Sequence, residues 1–200
     1  MRTMIFLIVV TCLSMPLKGN GEQSGTAASN VRSLQTLVYD PRIVKNTPAP
    51  SPIPNGTLYS EWRLNGATYL VAYRNVDKDD PNDIVADIYF KDPRSSSLRR
   101  LISFPVFMQV ENVELVSITG DSSSQLAFFR TSGQQDWLTI VALDGRSAHK
   151  LFDYGARWIK LTEDAPPEIL AHSHPDNTTE TFAWCKAKRK IVLEHVCSAK

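Results

Sequence analysis

Two histidines and an aspartate in the segment HSHPD are the residues best suited to metal chemistry. His172 and His174 are spaced by one residue, so on a strand both imidazoles would point to the same side, and Asp176 follows shortly after them. Imidazole and carboxylate groups are ligands for copper or zinc. No further ligand stands at a diagnostic spacing, so a polar loop with solvated histidines is the alternative, and we expect no resident cofactor.

The cysteines restrict disulfide chemistry to one pair near the C-terminus. Cys12 lies in an N-terminal apolar segment, whereas Cys185 and Cys197 are close together in the sequence. The N-terminal segment described below predicts export, and an oxidising compartment favours a disulfide between these two cysteines. Closing so short a loop would contribute about 3 kcal/mol to stability. Two buried thiols are the other possibility, and both remain open.

Residues for nucleophilic catalysis lack their usual context. The chain has no GxSxG motif, and neither Cys185 nor Cys197 lies in a recognisable active-site motif. Serine and aspartate are plentiful, but they fall in expected turns. These features favour a non-enzymatic protein.

The composition is that of an ordinary globular protein with little net charge. Of the 200 residues, 42% are apolar, and 22 basic side chains stand against 21 acidic ones. So small a net charge excludes strong sequence-independent binding to nucleic acid, which requires a basic surface. The sequence has no run of 18 apolar residues, so we expect no transmembrane span.

Charged residues cluster in expected turns. Two basic runs, 94–100 and 186–190, fall in turns that precede the last strand of the sheets predicted below. They would form a positive rim that binds an anionic polymer or lipid head groups. The alternative is that they are charged turns without a partner. A third run, VDKDDPND, places four aspartates within residues 77–83. A lysine and a proline interrupt it, so we interpret it as a solvated hairpin tip rather than a calcium loop.

The first 19 residues have the pattern of a secretory signal peptide. Arg2 precedes a short apolar run from Met4 to Leu13, and Pro16 ends that run before small residues. We therefore expect an extracytoplasmic protein, secreted or periplasmic. Thr11 precedes Cys12 where Gly, Ala or Ser is usual, which argues against a lipoprotein.

Residues 20–57 are expected to form a flexible, proline-rich leader. NGEQSGTAASN has no periodicity and NTPAPSPIPNG is proline-spaced, a composition typical of extended, solvated chain. Between them, LQTLVYDPRIV is a possible single strand at the edge of the next domain. The folded domain is then expected to span residues 58–200.

The chain from residue 58 onward contains an internal repeat. With a shift of 43 residues, LVSITGDSSSQLAFF, from Leu115, lies over WIKLTEDAPPEILAH, from Trp158, without a gap. A weaker upstream copy contains an Asn-Gly hairpin signal, and its LVAYRN, from Leu70, matches LAFFRT, from Leu126. We expect three repeats, 58–112, 113–155 and 156–200. Their predicted strands are 58–64, 68–74, 84–90 and 98–104; 113–119, 125–131, 137–143 and 148–153; and 157–162, 168–173, 179–186 and 189–196.

The expected fold class is all-β, with three propeller-blade-like, four-stranded antiparallel meanders. WLTIVAL is apolar on both faces, so its strand must be covered on both faces, as happens when sheets stack face to face. A β-sandwich is the alternative.

The two later repeats resemble the VCBS/FG-GAP repeats of integrin-alpha-type β-propellers, found in many exported bacterial proteins. That family has an aspartate-rich calcium loop of the form DxDGDGxxDL, where this chain has SITGDSSSQL (117–126) and KLTEDAPPEI (160–169). Ser117 and Lys160 stand at the first ligand position, and Gln125 replaces an acidic residue. With so few carboxylates, we expect neither loop to bind calcium.

The sequence as a whole predicts an exported, non-enzymatic binding or scaffold domain with an unidentified protein or polysaccharide partner. An accessory or inhibitor domain associated with a secreted hydrolase is the alternative. Closed propellers have at least four blades. Three repeats therefore require an open arc, a homodimer that completes the ring, or a sandwich.

Overall fold

The computed structural model describes residues 34–198, except 45, 46, 56, 65, 78, 108 and 174. The expected signal peptide, Cys12 and His174 lie outside the described residues. Within them, twelve strands form three four-stranded antiparallel sheets, each a meander in which every strand pairs with its neighbours in the chain.

The first sheet contains β1 (Leu58–Leu64), β2 (Ala67–Asn75), β3 (Ile84–Lys91) and β4 (Leu98–Pro105). The second contains β5 (Gln109–Val116), β6 (Gln125–Thr131), β7 (Asp136–Asp144) and β8 (Ser147–Ala156). The third contains β9 (Trp158–Leu161), β10 (Ile169–His172), β11 (Thr179–Cys185) and β12 (Lys190–Leu193), followed by a short C-terminal helix (Glu194–Ser198). None of the described helical segments is both apolar enough and long enough to span a bilayer.

This architecture confirms the predicted all-β fold with three four-stranded antiparallel sheets. Most strand ends lie close to their predicted positions because alternating apolar residues and polar turns mark them. Four ends differ by three residues or more. β5 spans Gln109–Val116 rather than 113–119, β8 extends to Ala156 rather than 153, and the last predicted strand, 189–196, stops at Leu193. Glu194 then begins the helix, where an acidic side chain favours a helix N-terminus.

The three sheets pack face to face in chain order. Phe104 and Phe128 meet edge to face between the first and second sheets, with ring centroids 5.3 Å apart. Phe152 and Phe182 do the same between the second and third sheets, at 5.2 Å. The second sheet is therefore buried on both faces, which explains why the WLTIVAL strand is apolar throughout.

The leader packs onto the first sheet, contrary to the expectation of a solvated segment. Leu34 and Val38 are buried with the core of the first two sheets, and Ile53 is buried against Tyr59 on the far face of the first sheet. Buried residues therefore begin ahead of Leu58, where the folded core was expected to start. A proline-spaced segment has no helical or strand periodicity from which its buried positions could be predicted, because its residues contact the sheet singly.

Asp40 attaches the leader to two strands of the first sheet. Its buried carboxylate accepts hydrogen bonds from Ser60 on β1, from the Tyr73 hydroxyl on β2 (2.6 Å) and from the backbone N–H of Arg42 (2.9 Å). Burial, and then the charge of Asp40, raise the pKa of Tyr73 well above its ordinary value, so the phenol keeps the proton that it donates.

The single strand expected within residues 34–44 is reduced to two isolated bridges. Val38 pairs with Val110 in parallel and Ile43 pairs with Ser60 in antiparallel orientation, while residues 34–37 are helical. The hydrogen bonds of Asp40 lie between these bridges, so a turn replaces the continuous strand.

The second and third sheets are similar, but one ungapped shift does not relate them. Leu126 and Ile169, which are 43 residues apart, both face the preceding sheet. Leu115 pairs with Leu126, whereas Ile169 pairs with Leu161 and not with Trp158. The ungapped alignment is thus wrong at the first strand of the repeat, because fewer residues connect that strand to the second in the third sheet.

Candidate functional site

A cleft of about 420 Å³ opens between the leader and the far face of the first sheet. Strand alternation brings polar side chains of β2, β3 and β4 to this face, next to the apolar residues that hold the leader. The cleft is lined by Pro52, Pro54, Asn55 and Thr57 of the leader and by Arg74, Asn75, Asp87, Tyr89 and Arg100 of the sheet.

Asp87 is the centre of the charged wall of the cleft. Its side chain is 1% exposed, and Oδ2 accepts a 2.7 Å hydrogen bond from Nε of Arg74 on the adjacent strand. Nη1 of Arg100 lies 3.8 Å from Oδ1. Two guanidinium groups and one carboxylate leave a net charge of about +1 on this wall, which suits an anionic ligand.

Two acceptor atoms of the cleft residues have no hydrogen-bond partner in the described structure. They are Oδ1 of Asp87 and Oδ1 of Asn75, both buried. The contact of Arg100 with Asp87 is too long for a hydrogen bond. An unpaired buried acceptor costs about 1–3 kcal/mol, so any donor that reached Oδ1 of Asp87 would recover free energy.

The neutral walls of the cleft are held in place by the protein itself. The Thr57 hydroxyl donates a 2.6 Å hydrogen bond to the carbonyl of Pro54, which fixes the leader wall. Tyr89 is almost fully buried, and burial followed by the charge of Asp87 raises its pKa. Its ring therefore stays neutral and, with Pro52, gives the cleft an apolar surface beside its charged wall.

The predicted metal ligand His172 makes local contacts on the outer face of the third sheet. Its imidazole stacks on the Trp158 indole, with ring centroids 5.1 Å apart. Its ring nitrogens lie 3.1 Å from Oγ1 of Thr179 and 3.2 Å from Oδ1 of Asn177. These contacts satisfy both nitrogens within the protein.

The described residues contain no group of three or more His, Cys, Asp or Glu placed to hold a metal ion. Asp176 is exposed in the turn after His172, and its partner in the prediction, His174, is outside the described residues. In the acidic run, Asp77 and Asp80 each accept a 2.9 Å hydrogen bond from a backbone N–H two residues later. These two carboxylates stabilise the turn, as a hairpin tip requires.

The calcium-like loop between β5 and β6 is closed by its own side chains. Gln125 is 1% exposed, and its Oε1 accepts a 2.9 Å hydrogen bond from the N–H of Ile118. Its Nε2 donates to Oγ of Ser123 (2.9 Å) and Oγ1 of Thr119 (3.1 Å). Hydrogen bonds from Ser123 and Thr119 also lower the pKa of Asp121. Gln125 thus places an amide donor where a cation would require an acceptor.

A disulfide joins Cys185, which is fully buried at the end of β11, to Cys197 in the C-terminal helix. The Cα atoms are 5.5 Å apart, which is a usual separation for this bond. The disulfide holds the helix against the third sheet.

The residues of the cleft were not singled out from the sequence. Arg74, Asp87 and Arg100 are far apart in the chain and have no diagnostic spacing. One signal was present in the match of LVAYRN to LAFFRT, which aligns Arg74 with Arg130. A charged residue repeated inside two otherwise apolar strands indicates a buried ion pair, and its partner was not identifiable without the strand register.

Searches against protein families, curated proteins and solved structures found nothing similar to this chain.

Proposed function

We propose that this chain is an exported, non-enzymatic binding module whose leader-covered cleft holds an acidic saccharide unit of a polysaccharide partner. The observation that carries the proposal is the buried carboxylate of Asp87, which has one unpaired oxygen and lies between Arg74 and Arg100. The signal-like N-terminus supports export.

The chemistry of the cleft matches a ligand that combines a carboxylate with hydroxyl groups. The guanidinium of Arg100, which is 59% exposed, is free to pair with a sugar carboxylate. Oδ1 of Asp87 is closed to solvent in this structure, so a sugar hydroxyl would donate to it only after Arg100, 3.8 Å away, turned toward the sugar carboxylate. Tyr89 and Pro52 would contact the ring. A volume of about 420 Å³ lies within the usual range of small-molecule sites.

The same lining supports binding rather than hydrolysis. Glycosidases generally place two carboxyl groups on either side of the scissile bond. The described lining of this cleft contains one, Asp87, and Arg74 holds it through a 2.7 Å ion pair.

The test is an NMR titration of the chain with glucuronate, with glucose, which lacks the carboxylate, and with acetate, which lacks the ring hydroxyls. Glucuronate is expected to bind most tightly, and Arg100→Ala to weaken it about tenfold through loss of a charge-assisted hydrogen bond. Arg63→Ala is the matched control, because Arg63 is 82% exposed and does not line the cleft. Equal binding of glucose and glucuronate, or an equal effect of the two variants, would refute the proposal.

A further inference from the structure

The turn between the third and fourth strands carries exposed cations in every sheet. All of these side chains lie in the turn or within two residues of it, on the outer edge of the stack. They are Arg94 and Arg99 in the first sheet, Arg146 in the second, and Lys186, Lys188, Arg189 and Lys190 in the third. We call this set the basic row.

Direct contacts join the first two turns of the basic row. The guanidinium of Arg99 donates a hydrogen bond to the carbonyl of Arg146, and Arg146 lies 3.6 Å from the carboxylate of Asp92 in the first turn. The Tyr69 hydroxyl also donates to the carbonyl of Gly145 at 3.1 Å. The two turns are therefore fixed side by side.

The third turn lies at the same end of the stack. All three sheets share one meander topology, so in each the loop between the first two strands lies at the same end as the turn between the last two. These loops are adjacent in the second and third sheets, because a Cβ placed on Gly120 would lie 3.2 Å from Cγ of Pro166. β8 also packs near β12. Face-to-face sheets are about 10 Å apart, so three successive turns extend the basic row over about 20 Å.

Two acidic residues lie in these turns, Asp92 and the exposed Asp144, and the other acidic residues are mostly placed away from the basic row. Asp92 is paired with Arg146, and the acids of the loops joining first and second strands, such as Asp121 and Asp164, lie about two strand spacings, or about 10 Å, toward the other edge. The aspartates of run 77–83 are at the opposite end of the strands. A chain of low net charge therefore has a locally positive edge.

The chemistry of these turns favours a linear polyanion over a membrane. Peripheral membrane binding generally combines cations with inserted apolar side chains. The exposed large apolar residues of the described chain are elsewhere, at Tyr39, Val76, Phe107 and Leu115. Serines 95–97 and Ala187 separate the cations instead.

We propose that the basic row binds an anionic polysaccharide chain along the outer edge of the three stacked sheets. The row is separate from the cleft, and this proposal does not depend on ligand binding there. A polymer with regularly spaced anionic groups would pair with successive turns and release counterions, so its affinity should fall steeply with salt.

The experiment measures binding of the full chain to heparin, used as a defined sulfated polysaccharide, over a series of salt concentrations. Lys186→Ser/Arg189→Ser removes two cations from the third turn. It is expected to weaken binding about tenfold and to reduce the salt slope by about two. Arg63→Ser/Arg157→Ser removes two exposed cations outside the row and is the matched control, expected to change affinity less than twofold. Circular dichroism verifies that all variants fold.

Three outcomes would overturn the inference. Equal weakening by the two double variants would mean that net charge, not the row, determines binding. Tighter binding of anionic phospholipid vesicles or duplex DNA than of heparin would assign the row to another partner. No binding of heparin at low salt would exclude a polyanion site. Failure here leaves the glucuronate result for the cleft unchanged, because the test variants change different residues, Arg100 in the cleft and Lys186 and Arg189 in the row.

Discussion

Arg74 and Arg130 occupy the same place in successive sheets, near the end of the second strand and facing the preceding layer of the stack. Each forms an ion pair with an aspartate of its own sheet, Asp87 at 2.7 Å and Asp153 at 3.1 Å. Their exposures differ. Arg130 is 4% exposed beneath the first sheet, whereas Arg74 is 31% exposed beside the cleft.

This difference follows from what covers each sheet. The first sheet packs on the second and buries Arg130. The far face of the first sheet is covered by a short proline-containing leader, which seats Ile53 but leaves the region of Arg74 open. The cleft is thus the place where a neighbouring sheet would lie, and the leader fills it incompletely.

Substitution of Arg74, the more exposed of the two arginines, is expected to destabilise the protein more than substitution of the buried Arg130. Arg74→Met leaves Asp87, which is 1% exposed, with a single cation at 3.8 Å, and should cost about 2–3 kcal/mol. Arg130→Met should cost less than about 1 kcal/mol, because Asp153 is 35% exposed and keeps Lys150 at 2.6 Å. Urea denaturation at neutral pH measures both.

A second variant separates charge from packing at the first site. In Arg74→Met/Asp87→Asn the unpaired buried charge is removed, so part of the lost free energy of unfolding should return. A larger loss for Arg130→Met than for Arg74→Met would contradict this account.

Gln125 should stabilise the β5–β6 loop in the way that a metal ion does in a calcium loop. Gln125→Leu removes its hydrogen bonds and leaves the buried N–H of Ile118 without a partner, so it should cost about 2 kcal/mol in chemical denaturation. Ser124→Ala, one residue away, is the control and should have little effect.

Calcium provides the complementary measurement on the same loop. The thermal midpoint of the unmodified chain should not change with added calcium, because the loop offers one carboxylate, that of Asp121, and a buried amide. A calcium-dependent rise of several degrees that is absent from Asp121→Asn would show that the loop binds the ion.

The architecture was predictable because its determinants are local. Alternating strands such as WLTIVAL and polar turns between them give the strand positions, and apolar residues on both faces require stacked sheets. The predictions that failed depend on contacts between distant parts of the chain. Burial of Leu34 and Ile53 depends on surfaces made by distant strands. The register of β9 depends on the length of the loop at 162–168, which is shorter than the corresponding loop of the second sheet.

The candidate site was less predictable than the fold for the same reason. The cleft combines β2, β3 and β4 with residues 52–57, and its character depends on which oxygen of Asp87 remains unpaired. No motif records such an arrangement. By contrast, HSHPD is a visible pattern, yet His172 directs its nitrogens to Thr179 and Asn177. The spacing of residues along the chain identified candidate ligands but did not predict which groups they contact.

Asp153 should make the stability of the second sheet depend on pH. Burial alone would raise the pKa of this carboxyl group, but hydrogen bonds from Lys150 and Thr139 and the charges of Lys150 and Arg130 outweigh it, and the pKa is lowered. A carboxyl group with a lowered pKa in the folded state contributes stability above its unfolded pKa of about 3.9. That contribution is lost as the pH falls through the lower pKa of the folded state.

Asp153→Asn tests this linkage directly. The variant should unfold more easily than the unmodified chain at neutral pH, and the two free energies of unfolding should converge as the pH falls below about 4. Asp79→Asn is a control in the exposed turn of the first sheet, where the side chain makes no ion pair among the described residues. Parallel pH curves for Asp153→Asn and the unmodified chain would mean that the Asp153 ion pairs contribute nothing to folding, since only a group whose pKa changes on folding can alter the slope.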